Sequence, residues 1–435
     1  MQKNKTNEVL NRILSLIDSN EIQAIFPADE LASWRLMAAA DIVQPQKATK
    51  GKGSKAQKAV NYLSIVKTVI GARSALPILN CIAVKSGIAQ GTNLEQALTF
   101  PAPDGTVDGI YDIVGGKLLL NSGLALEDFP PTYGPCQWLA DGNPVETLSA
   151  TGFNGVELAE ALTALFPMVS TDVTRYKLNG VYFSREAGSE VFTLVATDGR
   201  RLHYRTLQSS GTGEMKFILP SPAIKTLLKI NPAEKVEFTL SAPMYPNEKG
   251  IMERGENQSV LIDLPEGGEL VSKCIEGTFP NYRQVIPLRD GDKIHFSVDS
   301  QKWELVLKEL LPIAKHCEQD TIRLDFHKAG SVTFKICPAD SGIGITERVI
   351  EGASVDCWEA FESVKTLAEN EPEVWEEKPS DTLTICFNLK FLSDIIKTQP
   401  DMVRLSDNLS PACFYRTADV DNRHGESILM SIRIR

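Results

Sequence analysis

Apolar positions in this chain follow two periods that alternate along it in no fixed order. Helical spacing appears over Asn11 to Ile22, with Ile13, Leu14, Leu16 and Ile17, and over Ala28 to Val43, with Leu31, Trp34, Leu36 and Met37. It returns over Gly155 to Val169, Pro220 to Ile230, Ser300 to Leu311 and Asn388 to Thr398. Ser300 is the expected N-cap of the third of these, ahead of the stripe Trp303, Val306, Leu307 and Leu310. Strand-like runs lie between the helices: Leu79 to Val84, Leu178 to Phe183, Lys235 to Leu240, Ile294 to Asp299 and Ser331 to Ile336. A mixture without regular β-α-β alternation predicts an α+β fold.

The order of segments repeats. Leu79-Asn80-Cys81-Ile82-Ala83-Val84 is followed by Gly91-Thr92-Asn93-Leu94-Glu95 and then by Asp128-Phe129-Pro130-Pro131. Leu178-Asn179-Gly180-Val181-Tyr182-Phe183 is followed in the same way by Ala196-Thr197-Asp198-Gly199-Arg200 and by Thr278-Phe279-Pro280-Asn281. A third section opens near Asp292. The expected sections are residues 1–143, 144–288 and 289–435.

Composition narrows the class. The hydrophobic share of 43% is that of a folded chain, and no apolar run approaches the ~20 residues that span a bilayer. Met1-Gln2-Lys3-Asn4-Lys5 is not followed by an apolar secretion core, so the expected location is the cytoplasm. The eight cysteines form no Cys-x-x-Cys pair, and His203, His295, His316, His327 and His424 lack metal-ligand spacing. Reduced thiols, no metal and no cofactor are expected.

The net charge of −11 argues against a protein that coats nucleic acid, but not against one with a local basic surface. Residues 47–58 hold Lys47, Lys50, Lys52, Lys55 and Lys58 among glycine and serine, a basic loop that is either a solvated linker or a nucleic-acid contact. It is no phosphate-binding loop, because Gly53 follows Gly51-Lys52 and position 46 is Gln46. Residues 351–381 are rich in acid, including Glu359, Glu362, Glu369, Glu371, Glu373, Glu376 and Glu377, with Trp358, Phe361 and Trp375 among them. They read as a surface insertion, or more sharply as a partner-binding or self-masking arm.

Two motifs carry a resemblance. Ala196-Thr197-Asp198-Gly199-Arg200-Arg201-Leu202 and Phe279-Pro280-Asn281-Tyr282-Arg283-Gln284-Val285-Ile286-Pro287 resemble the bacterial replicative clamp family, the beta subunit of DNA polymerase III. Arg175-Tyr176-Lys177-Leu178-Asn179-Gly180 is similar to the family's segment upstream of the first motif. The end, Ile428-Leu429-Met430-Ser431-Ile432-Arg433-Ile434-Arg435, is similar to its apolar last strand, with Ser431 where a proline is usual.

The resemblance implies three domains of similar topology, helices inside and sheets outside, two chains closing head-to-tail into a ring around duplex DNA. A clamp holds DNA without reading it, by encirclement and weak phosphate attraction. The DNA-facing candidates are Lys177, Lys225, Lys229, Lys302, Lys308, Lys315, Lys390 and Lys397, while the helix from Gly155 carries Glu157 and Glu160 and no cation. The resemblance also implies a groove that captures a short peptide of a polymerase, clamp loader or repair protein. Its implied lining is Leu178, Thr197, Gly199, Arg200, Arg201, Leu202, Pro280, Val285, Ile428, Met430 and Ile432, with the two arginines on the peptide's polar or acidic ends. Thr197-Asp198-Gly199 reads equally as a tight turn between strands.

The first section departs from the family. Between Phe100 and Phe129 the chain is too short for the helix and strands expected there. Phe129 and Ile313 fall by position near the implied contact between subunits. Two other readings stand beside the clamp. One is a clamp-like peptide binder that never encircles DNA. The other is an enzyme using the polar cluster of Asp198, Arg200, Arg201 and His203, although no nucleophile elbow, paired metal motif or phosphate loop accompanies it.

Overall fold

The computed structural model describes residues 60–70, 75–130, 144–230, 232, 234–248, 250–255, 257–287, 293–315, 317, 320–336, 344–366, 374–420 and 425–432. Side chains are not described over 361–378 and 419–420. Val60–Arg435 is one compact unit. The expected helices at Asn11 to Ile22 and Ala28 to Val43, the basic loop 47–58, His316 and His424 lie outside the described residues.

Strands are joined across the expected section boundaries. A ten-stranded sheet runs from Met252–Arg254 through Lys235–Pro246, Ser259–Leu264 and Gly268–Lys273. It continues with Gln96–Pro101, Ile88–Thr92, Ile82–Lys85, Gly109–Val114 and Lys117–Leu120, while Val145–Asn154 pairs on the side with Lys235–Pro246. Its join is the antiparallel register Leu270↔Leu98 and Ser272↔Gln96. A nine-stranded sheet holds Met215–Pro220, Gly180–Arg185, Val191–Thr197 and Arg201–Gln208, then Gly425–Leu429, Ala412–Tyr415, Met402–Leu405, Ile294–Ser297 and Val355–Trp358. Its join is Leu202↔Ile428 and His203↔Ser427. A four-stranded sheet runs Thr346–Glu351, Ser331–Ile336, Thr321–His327, Thr382–Asn388.

Six α-helices lie among the described residues: α1 (Tyr62–Ile65), α2 (Gly155–Leu165), α3 (Ser221–Ile230), α4 (Ser300–Ala314), α5 (Leu389–Ile396) and α6 (Thr417–Val420). Each longer helix buries one apolar stripe. On α3 it is Ala223, Ile224, Leu227 and Ile230, and on α5 Leu389, Leu392, Ile395 and Ile396. Asn154 starts α2 by accepting from the Val156 and Glu157 amides at 3.0 and 3.3 Å. In α4 the buried Trp303 meets Phe334 edge-on at 4.9 Å. The helices pair as α2 with α3 and α4 with α5. The α+β expectation agrees with this architecture.

Two local readings are corrected. The N-cap of α4 is Asp299, whose carboxylate accepts from the Lys302 amide at 3.1 Å; Ser300 is already helical and buried, its hydroxyl donating to the Pro400 carbonyl. The run from Leu79 does not start as a strand. Pro77–Asn80 is a 3₁₀ turn, which the proline's fixed φ suits, and the strand is Ile82–Lys85. Between Pro101 and Phe129, the structure has only the strands Gly109–Val114 and Lys117–Leu120 and a 3₁₀ turn at Leu126–Asp128. The acidic segment contains an antiparallel hairpin, Phe361–Thr366 with Val374–Pro379; Glu369, Glu371 and Glu373 lie outside the described residues.

Candidate peptide groove at the strand seam

The two motifs meet where the nine-stranded sheet is joined. The chain between Val191–Thr197 and Arg201–Gln208 turns on Gly199 at φ 84°, which a side chain would oppose; an added Cβ would also lie 2.7 Å from the Arg175 guanidinium. Asp198 fixes the turn by accepting from the Arg200 and Arg201 amides at 2.9 and 3.1 Å. The Thr197 hydroxyl donates to the Arg201 carbonyl at 2.7 Å. The hairpin-turn reading and the groove reading therefore occupy the same residues.

Beside this turn lies an apolar cluster separate from the main core: Leu178, Val195, Leu202, Ile218, Phe279, Cys413 and Ile428. Tyr182 stacks on Phe279 at 4.9 Å, and Tyr204, Ile275, Tyr282 and Ile286 pack against the same group. Of the groove candidates, Leu178, Leu202 and Ile428 are buried members of the cluster. Pro280 is exposed, Val285 is 46% and Met430 40% exposed, and Thr197 and Ile432 are half-buried. Met430 and Ile432 are tied down by their backbones, whose amides donate to Arg200 at 3.0 Å and Cys386 at 2.7 Å. Val195, Ile218, Cys413 and the tyrosines were not anticipated. The signal was present in Met215–Pro220, where Met215, Phe217 and Leu219 enter the main core and Ile218 takes the other face.

The two arginines part company. Gly199 and Arg200 are exposed. Arg201 is 6% exposed and pairs with Asp198 at 2.9 Å and with Asp394 of α5 at 2.8 Å. It also donates to the Pro167 carbonyl at 2.6 Å and lies over the Phe391 ring at 4.3 Å. Its donors are thus spent within the fold, and of the pair only Arg200 is presented to solvent.

The helix lysines Lys225, Lys229, Lys302, Lys308, Lys315, Lys390 and Lys397 are all exposed, and Lys177 is half-buried. Lys302 pairs with Asp299 at 3.2 Å, Lys308 with Glu304 at 2.7 Å and Lys397 with Asp394 at 2.9 Å. An exposed pair such as Lys302–Asp299 contributes little to stability, whereas Asp394 is largely buried and is shared with Arg201.

Within the polar cluster of the enzyme reading, Asp198 and Arg201 bond each other, Arg200 is exposed, and the buried His203 Nε2 has no hydrogen-bond partner among the described residues. Asp198 holds the turn and Arg201, while His203 is buried with its Nδ1 2.6 Å from the Ser427 hydroxyl. Burial, with the Arg205 and Arg416 guanidiniums nearby, pushes the imidazole down to about 3. An ion pair of Arg404 and Glu426 at 3.0 Å, each 6% exposed, lies on the neighbouring strands. Among the described residues no group of three or more His, Cys, Asp or Glu could hold a metal, and no helix is long and apolar enough to cross a membrane.

The fold and the seam define the class of clamp-fold proteins. The profile of the family "DNA polymerase III beta subunit, central domain" matches residues 154–281. The beta sliding clamp of Rickettsia felis is 25% identical over 245 residues, 54% of each chain. That of Caulobacter vibrioides strain NA1000 is 26% identical over 273 residues, 61% of each. The matched stretch thus spans about half to three fifths of these relatives. The crystal structure of a sliding clamp from Bartonella birtlesii bound to griselimycin superposes with a TM-score of 0.62 at 24% identity, covering 86% of this chain and 96% of that one. The DNA polymerase III beta subunit of Thermotoga maritima gives 0.63 at 18%, covering 86% and 97%. Residues 154–281 are thus similar to the central domain of the DNA polymerase III beta subunit, and the chain as a whole has the fold of the sliding clamps.

Two outcomes follow from the seam. Asp394→Ala leaves the buried Arg201 one carboxylate short and is expected to cost about 3 kcal/mol in urea denaturation; a loss below about 0.5 kcal/mol would contradict the pairing. His203 has a lowered folded pKa, so the stability from keeping it neutral is present above its ordinary 6.5 and is lost as pH falls toward about 3. His203→Asn is expected to remove about 1.4 kcal/mol per pH unit from the decline between pH 6 and 5; an unchanged slope would refute the burial argument.

Proposed function

We propose that this chain is a DNA sliding clamp, a cytoplasmic and non-enzymatic processivity factor that encircles duplex DNA and tethers a DNA polymerase, with clamp loader and repair proteins as further peptide partners. The observation that carries the reading is the apolar cluster at the seam, with Pro280, Val285 and Met430 exposed next to its buried members in the chain. A preformed apolar cleft bordered by few polar groups suits an extended peptide with apolar anchors. Leu178, Leu202 and Ile428 would form the floor, with Thr197, Gly199 and Ile432 beside it. Arg200 would meet an acidic or carboxylate group, and Arg201 would hold the turn that presents it. The lysines on α3, α4 and α5, with Lys177, would supply the sequence-independent phosphate attraction. The proposed clamp domains are residues 1–143, 144–288 and 289–435.

Homodimer closure is part of the proposal. The strands Lys117–Leu120 and Thr346–Glu351 each end a sheet and carry exposed Leu119, Leu120 and Val349, which suits edge pairing between two copies. One observation favours a second reading, a clamp-like peptide binder that does not close around DNA: the first section has two strands where the family's helix and strands are expected.

Peptide capture is tested with a synthetic peptide bearing a polymerase's clamp-binding motif, followed by fluorescence anisotropy. Val285→Glu and Met430→Glu alter exposed positions, so folding is expected to persist while affinity falls at least about tenfold, about 1.4 kcal/mol. Wild-type affinity in both variants would sink the groove assignment.

A further inference from the structure

Beyond the strand Gly425–Leu429 the chain runs through Met430, Ser431 and Ile432 without a turn or bend. The amides on either side of Ser431 are committed to the fold. Met430 donates to the Arg200 carbonyl at 3.0 Å, and Ile432 donates to the Cys386 carbonyl at 2.7 Å. In an extended chain the backbone groups of alternate residues point the same way, and those of the residue between point the other way. The Ser431 N–H and carbonyl therefore face away from Arg200 and Cys386. Neither has a hydrogen-bond partner among the described residues.

The side chain fixes what stands beside that backbone. The Ser431 hydroxyl donates to the Leu409 carbonyl at 2.7 Å, a surface contact that uses its one proton. Leu409 belongs to a loop pinned by Asp407, which accepts from the Leu409 and Ser410 amides at 2.7 and 2.6 Å. Leu409 is 49% exposed and Met430 40%, so two apolar side chains flank the half-buried Ser431. An extended peptide resting on both would lay its own backbone along the Ser431 edge. A proline, usual at this place in the family the chain resembles, has no N–H and offers the carbonyl alone. Serine offers both groups, and antiparallel partners in a hydrogen-bonded pair exchange both bonds.

We propose that Ser431 is a specificity-determining residue of the groove, its N–H donating to and its carbonyl accepting from one residue of a captured peptide in β conformation. The inference rests on the peptide-groove reading. It selects an extended segment whose residue at that register keeps its own N–H, and it excludes a proline or an N-methylated residue there.

The test titrates the full chain with the clamp-motif peptide by fluorescence anisotropy, as wild type, Ser431→Ala, Ser431→Pro and Val285→Glu. Ser431→Ala keeps the N–H and is expected to bind within about twofold of wild type. Ser431→Pro removes it and is expected to weaken binding about five- to tenfold, the usual worth of one hydrogen bond. Hydrogen exchange at the Ser431 amide of the wild-type chain is the second readout, expected to slow at least about tenfold at saturating peptide. Wild-type affinity in Ser431→Pro, equal weakening in Ser431→Ala, or unchanged exchange at the Ser431 amide would each overturn the proposal. Where Ser431→Pro loses the wild-type circular dichroism, the exchange measurement decides. In each of those cases, binding that Val285→Glu still abolishes leaves the groove reading standing. A peptide that binds no form of the chain overturns the groove reading and this inference with it.

Discussion

The antiparallel pairing of Arg201–Gln208 with Gly425–Leu429 is the contact on which the rest of this structure depends. Those strands are more than two hundred residues apart in the chain, so their register sets what meets at the seam. Leu202 stands opposite Ile428, which creates the apolar floor; His203 stands opposite Ser427, which fills the buried side with a hydrogen-bonded pair. A slip of one residue would exchange the two faces and destroy both. The second join, Gln96–Pro101 with Gly268–Lys273, does the same for the first section.

Buried charge reinforces that register. Arg201 reaches Asp394 on α5, so the turn beside the floor and the helix of the last section are held by one guanidinium. Asp394 also receives Lys397, which links the turn to the exposed face of the same helix. Removing either end would leave a charge with little access to water, and that penalty exceeds what the pair contributes when intact. Asp198 and Arg201 spend their side-chain hydrogen bonds on the turn and the seam.

Much of this was legible in the residues. The stripes of α2 to α5 predicted their positions to within a few residues, because about two to four turns of apolar spacing outweigh local exceptions. The Asp198-Gly199 turn was legible because few residues accept a positive φ. Leu178, Leu202 and Ile428 were reached through motif resemblance, and their clustering needed the fold. The fate of Arg201 was not legible, since Asp394 is 193 residues away and no local pattern announces that contact. The N-cap of α4 was missed by one residue because Asp299 and Ser300 are both good caps; burial of the Ser300 hydroxyl against Pro400 settles it. The half-empty first section was legible only as a shortage of chain between Phe100 and Phe129.

The proposed ring closure would use sheet edges, one of them in the shortened first section. Light scattering of the purified chain across a concentration series tests this most directly. A stable species of twice the 47.8 kDa chain mass, persisting on dilution, is the result expected of a two-chain ring. A monomer at every concentration would contradict closure by two copies of this chain.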